Sequence, residues 1–319
     1  MTSYESHQVA WETQASVRTK SRVILQSPGH DLFPIVKQPI CAHPLIQELG
    51  SAAIQYILVQ TAYKFMANIA LIETLVVNHI TTKIANNDFH ILFPEKMQLD
   101  SLTIIVDESY HAYVARDYMM QLKNLTQIDP IEARTRTGLS TAIAQVDNSL
   151  SALAKEALEL IAVCIAENSI TQDLGQLMRS PDINNEFSQV TSDHLKDEGR
   201  HAIFFGKVLE FYWEAISECV KAEVAPVVPI FIENYLKFED QKEYDRKILQ
   251  ALGLSERSVE KILHDTYVEY HKNLFLINPV ARNVIKFIEK CGLLGHLTMR
   301  RAFDEYSSAQ SNEPVNLNK

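Results

Sequence analysis

The residues with the clearest chemical potential lie in His194-Leu-Lys-Asp-Glu-Gly-Arg-His201. At 3.6 residues per helical turn, His194, Glu198 and His201 fall on one stripe. Two imidazoles and a carboxylate on one face suit a first-row transition metal better than calcium or magnesium. The spacing Glu-x-x-His is also the one by which carboxylate-bridged di-metal bundles point ligands inward.

A lone Glu-x-x-His is expected about once by chance in a chain of this composition, so alone it carries little. The longer form Asp-Glu-x-x-His is far rarer. It occurs twice, as Asp107-Glu108-Ser109-Tyr110-His111 and Asp197-Glu198-Gly199-Arg200-His201. Two such sites call for one further carboxylate from each of two other helices. Glu73 stands in a strongly apolar helix, where an unpaired charge costs several kcal/mol and needs a cation or a proton. Glu167 follows the apolar run Leu160–Ala166. Four carboxylates balance two divalent ions, so such a cluster is neutral when buried. The bland alternatives are specific. Lys64 is a possible partner for Glu73, Glu156 or Glu159 could replace Glu167, and His194 could be a surface histidine. Cys164, one turn before Glu167, reads as a small core residue. Tyr110 and Tyr113 read as packing, and Arg300-Arg301 as a solvated helix face. The remaining histidines considered, His43, His79, His90, His264, His271 and His296, read as structural or surface groups.

The elements that must position these groups are helices. The chain has 319 residues, is 46% hydrophobic, and holds only 9 Gly and 11 Pro, the composition of a packed helical protein. Residues 1–44 are proline-rich and predict an extended N-terminal arm. Long helices are expected at about 45–82, 103–124, 141–175 and 184–220. The first, apolar nearly all round, is expected to be buried. Three or four shorter helices follow over about 240–306, and 307–319 reads as a polar, disordered tail. The domain reading is therefore an arm at 1–44, a single domain at 45–306 whose core bundle is 45–220, and a tail.

A net charge of −10 and a pI near 5.6 argue against nucleic acid or an anionic membrane as partner. Cys41, Cys164, Cys219 and Cys291 form no C-x-x-C, so neither a zinc ribbon nor a disulfide framework is indicated. No signal peptide is visible, and polar residues interrupt the apolar stretch 51–80, so a cytoplasmic protein outside the membrane is expected.

The set Glu73, Glu108, His111, Glu167, His194, Glu198 and His201 resembles that of the p-aminobenzoate N-oxygenase family over about 45–215, including a histidine one turn before the second bridging glutamate. The resemblance implies an all-α, ferritin-like four-helix bundle with additional C-terminal helices, holding two non-haem iron ions. It implies that Glu108 and Glu198 bridge the ions. Glu73 and His111 would complete one site, and Glu167, His194 and His201 the other. Asp107 and Asp197 would each hydrogen-bond a ligating imidazole, with Arg200 pairing with such an aspartate. The implied activity is a monooxygenase using O2 and an external electron donor, either a redox partner protein or a chemical reductant. It would oxidise a primary amine to a hydroxylamine, nitroso or nitro product in secondary-metabolite biosynthesis. The alternative is a di-iron C-hydroxylase or desaturase acting on an amino acid or carrier-tethered substrate. An iron-storage protein is disfavoured by chain length and by the third histidine. A radical-generating reductase subunit is disfavoured because Ala115 stands where its tyrosine would be. A homodimer is the default assembly.

Overall fold

Helical periodicity in the sequence becomes helix throughout, with no strand among the described residues. The structure, a computed structural model, describes residues 4–26, 32–146, 149–177, 185–268 and 279–311. Helix α1 is Gln8–Gln14. The first bundle helix, α2, runs Ser51–Ala85, entered through Gly50, whose φ of 82° a residue with a side chain rarely adopts. Helix α3 is Glu95–Thr126. Gly138–Val146 forms α4, Ala152–Leu177 α5 and Asn185–Ala215 α6. Glu218–Val224 is α7, Val228–Leu236 α8, Glu239–Ala251 α9 and Glu256–Tyr267 α10. Pro279–Lys290 and Leu297–Ser311 are α11 and α12.

Helices α2, α3, α5 and α6 make the bundle, with α2 packed on α3, α5 on α6, and α3 on α6. Their inward faces follow the 3.6-residue period. On α3 the buried stripe is Asp100, Ile104, Asp107/Glu108, His111, Ala115, Tyr118 and Leu122. The C-terminal helices divide their cover. Helices α7 and α11 lie against α5, α8 lies on α4, and α9 pairs with α10.

Two apolar clusters fill the interior, and α2, α3 and α6 contribute residues to both. Ala70 of α2 belongs to one cluster and Val77 to the other. On α3 the change falls between Ile104 and Ala112, and on α6 between Val190 and Phe204. Glu73, Glu108, His111 and the His194–His201 segment all lie in these crossing zones. The polar cluster is thus a layer enclosed by apolar packing above and below.

Several expectations need correction. The arm is not simply extended, since residues 8–14 are helical and Ser16–Thr19 and Pro39–Ala42 form further helical turns. Helix 141–175 is two helices, and the fourth ends at Ala215, where the Ser217 side chain accepts from Val220 N and starts α7. Helix α2 is only half buried in its most apolar window. On α5, by contrast, every residue from Leu160 to Glu167 has no exposed surface. Helix α12 runs on to Ser311, so 307–311 is not tail, and 312–319 lies outside the described residues.

By length and composition α2 is the one helix among the described residues able to cross a membrane. Its middle instead carries buried Glu73 into the bundle.

Candidate metal centre

The seven ligand-type side chains predicted from sequence converge on one buried volume. Glu108, Glu167 and His201 have no exposed surface, and Glu73, Glu198, His111 and His194 have at most 6%. Glu73, His111, His194 and Glu198 offer atoms within 4.8 Å of one another. So do Glu108, His111, Glu198 and His201, and so do Glu73, Glu108 and Glu167.

Glu198 Oε1 sits near the middle. It is 2.9 Å from His194 Nε2, 3.4 Å from His201 Nδ1 and 3.6 Å from His111 Nδ1. Glu108 reaches His111 Nδ1 at 2.8 Å with Oε2 and His201 Nδ1 at 2.9 Å with Oε1. The second contact lies off the hydrogen-bonding direction, and both its atoms lack a partner.

The grouping of His194 differs from that implied by resemblance. It lies with Glu73, at 3.5 Å, and its ring is 4.1 Å from that of His111, while Glu167 Oε2 is 3.8 Å from His201 Nδ1. The reason is helical rise. His194 and His201 are seven residues apart, about 10 Å along α6, with Glu198 between them. They flank that carboxylate rather than share one side of it.

The backbone prepares Glu73 for this role. Residues Glu73–Val77 form a single π-helical turn inside α2, a distortion that recurs at functional sites. One hydroxyl lies within it and one follows it, with Thr74 donating to Ala70 O and Thr81 to Val77 O. This turn was not foreseen from the sequence, and the two threonines are the nearest thing to a signal for it.

Around the seven lies a cross-braced polar layer. Each aspartate serves the histidine of the other motif. Asp197 Oδ2 is 3.1 Å from His111 Nε2, and Asp107 Oδ2 is 3.2 Å from His201 Nε2. An aspartate accepting from Nε2–H leaves Nδ1 bare and turned to the carboxylates, the tautomer a metal ligand requires. Arg200 ties the two braces by donating to Asp107 (3.3 Å) and to Asp197. The contribution of the arm was also not foreseen from the sequence. The Trp11 indole N–H donates to Asp107 Oδ1 at 2.8 Å, and the backbone N–H of Ser16 donates to both oxygens of Asp197 at 3.2 Å.

The rival pairings are occupied elsewhere. Lys64 binds Asp240 at 2.9 Å rather than Glu73, and Glu156 binds Lys83 at 3.1 Å. Cys164 is buried, and burial holds its thiol well above its usual pKa. His43, His90, His264 and His296 pair with carboxylates outside the cluster. His79 is exposed, and His271 lies outside the described residues.

Without a cation the cluster holds protons. Burial, then the charge of Glu108, pushes the Glu73 carboxyl up to about 8, and burial raises Glu167 well above its ordinary range. Against burial, bonds to Asp197 and Glu108 carry His111 up to about 10. Against burial, the imidazoles of His201 and His194 hold Glu198 well below the carboxylate range. Even so, Glu73 Oε2, Glu108 Oε1, both Glu167 oxygens, Glu198 Oε2 and His201 Nδ1 are buried without a hydrogen-bond partner. Such atoms ordinarily find partners, and a cluster of them facing one another fits a bound cation.

A cleft partly open to solvent reaches His111 and His194. Met66, Ile69, Val114, Tyr118 and Val190 give it an apolar wall, and Ser16 and Lys20–Val23 of the arm close another side. Arg300 and Arg301 do not line it.

An all-α bundle whose centre is a buried carboxylate–imidazole cluster with an apolar access cleft defines the class. The sequence matches the p-aminobenzoate N-oxygenase AurF family over residues 11–275, and the chain belongs to that family. A 4-aminobenzoate N-oxygenase from Streptomyces thioluteus is 21% identical over 264 residues, covering 80% of this chain and 76% of that protein.

Proposed function

We propose that this chain is a non-haem di-iron N-oxygenase that uses O2 to oxidise a small-molecule primary amine. The observation that carries the reading is the set of buried, partnerless oxygens on Glu73, Glu108, Glu167 and Glu198 facing the equally partnerless Nδ1 of His201. Glu73, His111 and His194 would hold one ion, Glu167 and His201 the other, with Glu108 and Glu198 between them. Two iron ions would supply reductive activation of O2 and delivery of one oxygen atom to nitrogen.

The rest falls to the protein. Asp197 and Asp107 fix the ligating tautomers of His111 and His201. The apolar wall of the cleft suits the hydrocarbon body of the amine. Converting an amine to a hydroxylamine consumes one O2, two electrons and two protons and releases water, so an external electron donor is required. Further rounds would give nitroso and nitro products.

The test is turnover of iron-loaded, full-length protein with isotopically labelled O2, a reductant and a panel of aromatic and aliphatic amines. Mass spectrometry should find label on nitrogen for at least one amine. Label on carbon would favour a hydroxylase, and no labelled product with any amine would defeat the proposal.

A further inference from the structure

The N-terminal arm is bonded to α3 and α6 through five carboxylates, those of Asp100, Asp107, Asp117, Asp193 and Asp197, with Lys20 on Asp193 at 3.3 Å. Tyr4 Oη and Ser6 Oγ each donate to Asp100 at 2.6 Å, and His7 N donates to it at 3.0 Å. Trp11 Nε1 then reaches Asp107, Ser16 N reaches Asp197, and Arg22 grips Asp117 with two bonds of 2.8 and 2.7 Å. The anchors on Asp100 and Asp117 lie outside the cluster. Those on Asp107 and Asp197 fall on the two carboxylates that face ligand imidazoles.

We propose that Trp11 and Ser16 are positioning residues of the metal centre. By donating to Asp107 and Asp197 they hold those carboxylates against His201 and His111. The inference rests on the metal-centre reading above.

Lone pairs and geometry together assign these roles. Asp107 Oδ2 accepts from His201 and Arg200, which leaves Oδ1 to Trp11. Asp197 Oδ2 faces His111, its Oδ1 takes Arg200, and the Ser16 N–H straddles both oxygens. A carboxylate held by donors on both oxygens cannot rotate about its last torsion. The imidazole it faces therefore keeps one ring orientation and one tautomer. Neutral donors do this without adding charge beside the cations. Both donors sit on one short segment, and Ser16 itself, with Lys20–Val23 further along the arm, lines the cleft. Arm docking and ligand alignment thereby become one event.

The test uses Co(II) as probe on full-length protein first freed of metal with a chelator. Trp11 and Trp213 are the two tryptophans of the chain, so Trp213→Phe leaves Trp11 as sole emitter. In that background, Co(II) binding should quench Trp11 emission in step with growth of the cobalt d–d bands. Trp11→Phe, followed by the d–d bands alone, should bind Co(II) about tenfold more weakly, as loss of an outer partner of a metal ligand does. It should also change the shape of those bands, which a general loss of stability would not. Ser16 begins a helical turn and follows Ala15 at ψ 137°, a setting that accepts proline. Ser16→Pro deletes the donor and should weaken binding similarly, whereas Ser16→Ala keeps it and should stay within about twofold of the parent. Tyr4→Phe loosens the arm at Asp100, away from the cluster, and should leave affinity unchanged. If Trp11→Phe and Ser16→Pro bind Co(II) as the parent does, with unchanged bands, the inference is overturned. It is equally overturned if Tyr4→Phe costs as much as Trp11→Phe, because the arm would then act only as a cover. Failure of the parent itself to bind Co(II) would instead defeat the metal-centre reading.

Discussion

Replacing Glu167 with glutamine should change stability in opposite directions with and without metal. Glu167 is fully enclosed on α5, and neither carboxylate oxygen has a partner. Burial, followed by the charges of Glu198 and Glu108, raises its folded-state pKa well above the ordinary range. An unfolded glutamate titrates near 4.3. Below that pH both states are protonated, and the wild type and the glutamine variant should be nearly equivalent. As pH rises, the unfolded chain releases its proton freely while the folded, metal-free protein retains it. Wild-type stability therefore falls relative to the variant, by up to about 1.4 kcal/mol per pH unit until the folded-state pKa is reached. Between pH 5 and pH 7 the difference should therefore grow steadily in favour of Glu167→Gln, read as a melting temperature that rises relative to the wild type at each step. With metal the order should reverse. Ligand present at a hundred times its dissociation constant stabilises the wild type by about 2.7 kcal/mol, and the variant forfeits much of this with its anionic ligand. Thermal unfolding with chelator and with Fe(II) under anaerobic conditions, at pH 5, 6 and 7, measures both effects. A metal-free variant less stable than the wild type, or a difference that does not grow with pH, would refute the reasoning.

Three further outcomes follow from the same geometry. Metal binding at pH 7 should release protons into a weakly buffered solution, because Glu73 near 8 and His111 near 10 must both deprotonate to become ligands; a titration without pH change would contradict this. Arg200→Ala should weaken metal binding roughly 10–100-fold by freeing both Asp107 and Asp197, and Arg200→Lys should not restore it fully, because an ammonium is a point charge rather than a planar fork; metal titration of the two variants checks this. Val114→Trp should obstruct the cleft and abolish amine oxidation at unchanged metal stoichiometry, and retained turnover would show that the amine enters elsewhere.

Much of the centre was legible because helical spacing is rigid. Once Glu108/His111 and Glu198/His201 lie three apart on helices, their side chains share a face. Glu73 and Glu167 were legible through cost, since a carboxylate within an apolar run must be compensated. The same rise of about 1.5 Å per residue should have separated His194 from His201, and there the resemblance outweighed the geometry. Other features left no periodic trace. The π turn at Glu73 is a backbone choice made jointly by α2 and its neighbours, with only Thr74 and Thr81 as local marks. Proline density reports on local propensity alone, so it predicts an extended arm where α1 forms. Tyr4, ahead of α1, is docked at Asp100, and Trp11 of α1 at Asp107, each roughly a hundred residues away, and such long-range pairing cannot be read from a window of sequence.

The central claim is that seven side chains from four helices grip two metal ions. Anaerobic titration of chelator-treated protein with Fe(II), read as bound iron per chain, tests it most directly. Two ions per folded chain are predicted, falling to one or none in Glu198→Ala with its helical circular dichroism intact. A wild-type chain that stays folded but binds no iron, or a Glu198→Ala chain that still binds two, would contradict the account.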